Sequence, residues 1–200
     1  MAGRYLETLF TPEVLAEQQH YYGRSQVIPP QPQTDPLGED ERAFIESRDS
    51  FYMATVTSNG WPYLQHRGGP SGFLAVVGSN QLAFADFKGN RQLISTGNLK
   101  QADRVSLFLM DYPRRERLKI LGHARVEDAR EHPDLVARFA PDGSEKVVER
   151  IFLIDVVSYD WNCPKYITPR YTATEVEEIT TPLKTRISEL EEQIKTIRSA

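Results

Sequence analysis

From Asp49 onward the apolar residues come in short runs, FYMATVT, YLQHR, FLAVV and QLAFAD, separated by the turn stretches SNGWP, GGPSG and GSN. Runs of this length bounded by Gly, Pro, Asn and Ser predict a meander of antiparallel strands. RVSLFLMD adds a strand of buried-type residues, Glu116 to Glu127 a longer one and Glu145 to Tyr159 one more. Helical spacing belongs to the flanks and connections. Thr11-Pro12-Glu13 offers an N-cap and a proline at the first helical position, opening a helix to Tyr22, and EDERAFIESR (39–48) sets Ala43, Phe44 and Ile45 among charges. KGNRQLISTGN reads as a turn opening a short helix, and residues 128–140 are helical around Pro133. Six or seven strands without regular β-α alternation favour an antiparallel barrel that closes its own edges over a parallel doubly wound sheet.

The two ends differ from this middle. SQVIPPQPQTDPLG (25–38) carries four prolines, which hold the chain extended as a linker or a surface-hugging arm. At the other end Thr181-Pro182 predicts a helix start, and Leu183, Ile187, Leu190, Ile194 and Ile197 follow at steps of four, three, four and three, the stripe of a heptad repeat. Either the body of its own subunit or a second subunit must cover that stripe. The expected organisation is an N-terminal helix and arm over 1–38, a barrel over 39–174 and an amphipathic helix over 175–200.

Charge narrows the function. Lys and Arg number 24 against 28 Asp and Glu, a net charge of -4, which gives no basic field for nucleic acid or an anionic membrane surface. No apolar run approaches the roughly 20 residues that span a bilayer. The single cysteine, Cys163, builds no disulfide framework, and Met1 to Phe10 lacks the apolar core of a secretory signal, so a cytoplasmic location is expected. The four histidines have no metal-ligand spacing and no Ser-His-Asp order or carboxylate pair is evident, so neither a metal nor hydrolysis is expected.

Three stretches carry candidate chemistry. Period two splits the strand Arg117 to Val126 into a core face, with Leu118, Ile120, Gly122, Ala124 and Val126, and a face of Arg117, Lys119, Leu121, His123 and Arg125. A cationic row in an acidic protein is a candidate anion site, since guanidinium and ammonium groups hold phosphate by charge-assisted hydrogen bonds. Asn90, Arg91 and Gln92, at the expected start of a helix, have backbone N–H groups suited to a phosphate. Gln65, His66 and Arg67 precede Gly68-Gly69, where small residues let a flat ligand approach. GGPSG lacks the Lys and Ser/Thr of a nucleotide-binding P-loop.

GWPYLQHR, QLAFADFKGNRQL and RVSLFLMDYPRRERLKILGHARVED, in that order, resemble the pyridoxamine 5'-phosphate oxidase-like split-barrel flavoproteins over roughly Ala43 to Asp128. The resemblance implies a mainly β fold, a six- to seven-stranded antiparallel split β-barrel with peripheral helices, that forms a homodimer holding FMN at two sites between subunits. It further implies that Asn90, Arg91 and Gln92 occupy the turn that carries Ser-Arg-Lys to the FMN phosphate, Arg91 matching outright. Ala85 and Asp86 fall where strand backbone meets the flavin ring. Gln65 or Arg67 takes the place of a family arginine, and Arg117 that of a glutamine, which turns the face bearing Lys119 toward the cofactor. Trp161 matches a family Trp.

The Arg-x-His-x-Arg series that follows this Trp in vitamin B6 oxidases is replaced by Ile167, Pro169 and Tyr171, with Arg170 one residue out of step. Oxidation of pyridoxamine phosphate is therefore not expected. Trp161, Asn162 and Arg170 become cofactor contacts in an extended stretch, DWNCPKYITPR, in which Cys163 is a small spacer. The expected activity is an FMN-dependent oxidoreductase passing electrons between a small donor and an acceptor. The alternatives are a module that stores or senses FMN without turnover, and a barrel for another planar group such as haem or a deazaflavin.

Overall fold

A computed structural model of the chain describes residues 3–161 and 164–199. Its centre is a single sheet of seven strands: β1 (Ser50–Val56), β2 (Pro62–Gly68), β3 (Ala75–Val77), β4 (Gln81–Phe87), β5 (Arg104–Asp111), β6 (Glu116–Asp128) and β7 (Val148–Trp161). Every pairing is antiparallel, in the order β2-β1-β5-β6-β7-β4-β3. The mainly β, seven-stranded antiparallel architecture is the one the short apolar runs predict.

Alternation decides which side chains go inward. On β1, Phe51, Met53 and Thr55 are buried while Tyr52 and Val56 are exposed; on β6, Leu118, Ile120 and Ala124 are buried. These join Leu107, Leu109, Phe84, Phe152 and Ile154 in one continuous core. The long strands β6 and β7 accommodate their curvature through a register shift at Leu121/Gly122. A Cβ on Gly122 would stand 2.8 Å from both the Asp155 carbonyl oxygen and Ile154 Cγ2, so only glycine fits there.

β2 and β4 lie far apart in the strand order, yet Arg67 of β2 and Asp86 of β4 form an ion pair. The sheet therefore curls until its β2 end meets β4, and this seam is held by side chains in place of a backbone ladder. β3 pairs with β4 only through Ala83, so Phe84–Phe87 have a strand partner on one side alone, β7.

The helices are peripheral. α1 (Gly3–Leu9), not expected from the sequence, buries Tyr5 beside β7 and β6. α2 (Pro12–Tyr22) starts where the Thr11 cap predicts, Thr11 Oγ1 accepting from the Val14 N–H, and buries no side chain. The proline-rich arm touches the body at its end: Asp35 N–H donates to the Val157 carbonyl, Leu37 N–H to that of Ser79, and Leu37 is buried. α3 (Glu39–Glu46) brings Phe44 and Ile45 to the core; α4 (Ile94–Asn98) and α5 (Pro133–Phe139) are short. α6 runs from Ala173 to Arg198, two residues ahead of the expected 175–200 span and eight ahead of the Thr181-Pro182 start signal. Thr172 and Glu175 form a reciprocal capping box, a T-x-x-E signal that outweighs Thr181-Pro182, and Pro182 is accommodated inside the helix.

Candidate functional site

The seam where β2 meets β4 encloses a cavity of about 160 Å³. Its walls come from alternate residues of β2 (Tyr63, Gln65 and Arg67), from Asp86 on β4, from Arg150 on β7, and from the turn 89–93 with the start of α4. Period two selects the β2 residues: Gln65 and Arg67 point inward, whereas His66 is exposed on the opposite face, against Tyr52. Ligand pockets for whole drug-sized molecules run to ~300–1,000 Å³, so this volume suits one small polar group. A larger cavity of about 570 Å³ shares Thr96 and Arg150 with it.

Three guanidinium groups and one carboxylate line the smaller cavity: Arg67, Arg91 and Arg150 against Asp86. Asp86 accepts from Arg67 through Oδ1 and from Arg150 Nε through Oδ2 at 2.8 Å. The side chains of Arg67, Asp86 and Arg150 are only 11%, 13% and 16% exposed. Asp86 and one further carboxylate offset the charges of the two buried guanidinium groups, and Arg91 at the rim leaves one positive charge in excess. Glu149 takes the Arg150 Nη2 outside the cavity at 2.9 Å.

Arg67 is fixed from two further directions. Its guanidinium carbon lies 5.0 Å from the Phe152 ring centroid and 5.7 Å from that of Phe84, two stacked core aromatics. Burial pushes its pKa below the usual arginine value, the Asp86 carboxylate works against that shift, and the Arg150 charge adds to it. Arginine nonetheless stays protonated in water. The Arg67 Nε is buried with no hydrogen-bond partner among the described residues. A buried donor left in this way is an unmet demand for an acceptor.

The turn differs from expectation in one respect. α4 begins at Ile94, so Asn90, Arg91 and Gln92 do not form its first turn. Arg91 and Leu93 instead take left-handed backbone, with φ of 62° and 54°. Asn90 Oδ1 accepts from the Gln92 N–H at 3.1 Å, which shapes the turn before the helix starts. α4 is anchored to the sheet by Ser95 Oγ, which donates to Gln65 Oε1 at 2.9 Å, and by Asn98 Nδ2, which donates to Thr55 Oγ1 at 2.8 Å.

Residues 37–157 match the model of the pyridoxamine 5'-phosphate oxidase family. The chain belongs to this family. No protein of curated function matches it. A structure of a pyridoxamine 5'-phosphate oxidase-like protein from Lactobacillus delbrueckii is similar at 18% identity, covering 62% of this chain and 93% of the other, with a TM-score of 0.47. An FMN-binding protein from Syntrophomonas wolfei is similar at 12% identity, covering 61% and 83%, with a TM-score of 0.43. An F420 reductase is similar at 18% identity, covering 62% and 98%, with a TM-score of 0.44.

In this pyridoxamine 5'-phosphate oxidase family member, Gln65, Arg67, Asp86, Asn90, Arg91 and Gln92 share one cavity, although β2 and the turn after β4 are separated in sequence by more than 20 residues. Ala85, next to Asp86, is buried in a small apolar cluster with Ile151 and Leu153. The other expected site residues lie elsewhere on the protomer. Arg117 sits 6.0 Å from the Phe108 ring, and Lys119 pairs with Asp160 at 3.0 Å beneath Tyr5. Trp161 donates to Glu41 Oε1 at 2.6 Å and meets Phe44 edge to face. Arg170 lies over Tyr112 beside the buried Arg48–Asp111 pair. Asn162 and Cys163 fall outside the described residues.

The cationic row expected on β6 is paired with carboxylates except at Arg117, which has no ion pair among the described residues. The partners come from β7, a loop and β6 itself: Asp160 for Lys119, Asp103 for His123 at 2.9 Å, and Asp155 and Glu127 for Arg125 at 3.1 and 3.3 Å. The sequence reading missed Arg150, Tyr63 and Ser95. Arg150 is opposite Asp86 in the β4–β7 register, so a correct pairing of those strands would have exposed it.

Proposed function

We propose that the chain is a flavoprotein that holds FMN by its phosphate in the seam cavity and serves as an oxidoreductase for a small molecule, with a second copy of the chain completing each site. The observation that carries this reading is the positive excess of the cavity, three guanidinium groups against Asp86 inside it and Glu149 outside it, with the Arg67 Nε buried and without an acceptor among the described residues. A phosphate monoester carries about -1.5 to -2 at neutral pH and several acceptor oxygens, which is the complement of that set. Membership of the family supports the same reading.

Bound FMN supplies reversible electron and hydride transfer. The protein's own residues bind and orient. Arg67, set over the Phe152 ring and tied to Asp86, presents a fixed donor; Arg150 is held by the same carboxylate, and the exposed Arg91 lines the rim. The Gln65 amide, with its oxygen engaged by Ser95, is oriented with its NH₂ free to donate. The replacement of the family's Arg-x-His-x-Arg by Ile167, Pro169 and Tyr171 argues for a substrate other than pyridoxamine phosphate.

Titration with FMN and with riboflavin tests the phosphate site. Charge-assisted hydrogen bonds contribute about 1.5–3 kcal/mol each, so riboflavin should bind on the order of a hundredfold or more weakly. Equal affinities would remove the proposal. Mass spectrometry of the compound released from purified protein distinguishes FMN from haem or a deazaflavin. Anaerobic addition of NADH or NADPH should bleach the flavin; a flavin that stays oxidised with every donor assigns the protein to storage or sensing.

A further inference from the structure

Helix α6 carries Val176, Ile179, Leu183, Ile187, Leu190, Ile194 and Ile197, all 40–75% exposed, and buries no side chain. The body of its own subunit therefore does not cover the stripe. Written as heptads, Ala173, Thr180, Ile187 and Ile194 take position a, and Val176, Leu183, Leu190 and Ile197 take position d. The flanking e positions are Glu177, Lys184, Glu191 and Arg198, alternating in sign. The helix makes two ion pairs of its own, Arg186–Glu189 at 2.8 Å and Glu192–Lys195 at 3.4 Å. None of the four e-position charges takes part in an ion pair among the described residues.

We propose that α6 pairs with α6 of a second copy of this chain as an antiparallel two-helix coiled coil, its two-fold axis passing between Ser188 and Glu189. In that register Ile187 packs against Leu190 of the second copy, Leu183 against Ile194, and Thr180 against Ile197, each layer occurring twice. The e positions of antiparallel helices face one another. Lys184 then meets Glu191 of the second copy and Glu177 meets Arg198, which gives four contacts of opposite sign from the four charges left unpaired within the helix. A parallel pair would set e against g, where Arg186–Glu191 is the only opposite-sign combination and Arg186 is already engaged by Glu189; it would also stack Thr180 on Thr180.

Self-complementarity is what selects a second copy as the occupant. A two-fold interface requires that residue i meet j while j meets i, and the alternating e charges satisfy this about one centre. A helix of 26 residues is short for a coiled coil standing alone, so the pairing adds to whatever interface the barrels form. It does not depend on the identity of the cofactor.

Engineered disulfides in the full chain test the register. In a Cys163→Ser background, chains carrying Leu183→Cys and chains carrying Ile194→Cys are co-expressed and mildly oxidised. The antiparallel register predicts a covalent dimer between the two kinds of chain and none from either alone. Two copies of residue 183 would stand ~16 Å apart along the axis, beyond the roughly 7 Å that a disulfide bridges. Adding Lys184→Glu and Arg198→Glu to both chains should lower the cross-linked yield at least tenfold; yield should recover when one chain instead carries Glu177→Lys and Glu191→Lys. Cross-linking of Leu183→Cys chains alone, absence of any cross-link, or indifference to the charge changes each overturns the proposal.

Discussion

Two cationic regions of this molecule look alike in sequence and differ in what their neighbours do. On β6 the row Lys119, His123 and Arg125 is met by Asp160, Asp103, Asp155 and Glu127, and its charge is spent on holding strands and α1 together. At the β2–β4 seam, Arg67, Arg91 and Arg150 are met by Asp86 inside the cavity and Glu149 outside it, which leaves one positive charge in excess at the cavity. The density of basic residues is higher on β6, yet the cavity lined by three guanidinium groups falls at the seam. What marks a site is the charge left over after cross-strand pairing, a property of register that no single strand displays.

Exchanging the side chains of the two regions should separate binding from stability. The largest effect is expected for Arg67→Ala, which removes the best-fixed donor and leaves Asp86 closer to a bound phosphate. FMN affinity should fall about a hundredfold or more, measured by fluorescence titration. Because Arg67 also closes the seam, Arg91→Glu serves beside it: this residue is exposed, so the melting temperature should not move, while opposed charge lowers FMN affinity by about tenfold or more. Unchanged flavin affinity in both variants would dismiss the seam as the phosphate site.

Lys119→Met asks the converse question of β6. Asp160 is 6% exposed and Lys119 22%, so removing the ammonium strands a largely buried carboxylate. The cost should be about 2 kcal/mol of folding stability, between the values for surface and fully buried pairs. Flavin affinity should stay within about threefold of the parent. A large loss of flavin without a loss of stability would reverse the assignments of the two regions.

These contrasts also show how far the sequence could be read. Strand number, the antiparallel class and the inward set Leu118, Ile120 and Ala124 follow from period two, because alternation and burial are local. Gln65, Arg67 and Arg91 were legible as candidates for the same reason, each lying next to recognisable turn chemistry. Arg150 was not, since its role arises from standing opposite Asp86 across β4 and β7, more than 60 residues away. The helical donors expected at Asn90–Gln92 failed on a boundary: left-handed Arg91 and Leu93 delay α4 until Ile94. The early start of α6 was present in the sequence as Thr172-x-x-Glu175 and was masked by the more familiar Thr-Pro signal nine residues later.

The smallest expected effect concerns Tyr5, which sits on the β6 side of the comparison and reports whether that region is structural. Its phenol is held above the ordinary value of 10.0, first by burial under α1 and second by the Asp160 carboxylate; the Lys119 ammonium lies 4.8 Å from its ring. A raised folded pKa means that the neutral phenol is the form the fold favours. Its contribution is complete below the unfolded pKa near 10 and is lost as pH rises through the folded value. Between pH 9 and 11 the parent should therefore lose stability faster than Tyr5→Phe, by less than about 1 kcal/mol, with the remaining tyrosines cancelling between the two proteins. Melting curves that stay parallel over that range would show that Tyr5 does not couple α1 to the Lys119–Asp160 pair. Curves that diverge would place the charges of β6 in the business of docking a helix, leaving the seam as the region with positive charge to offer a ligand.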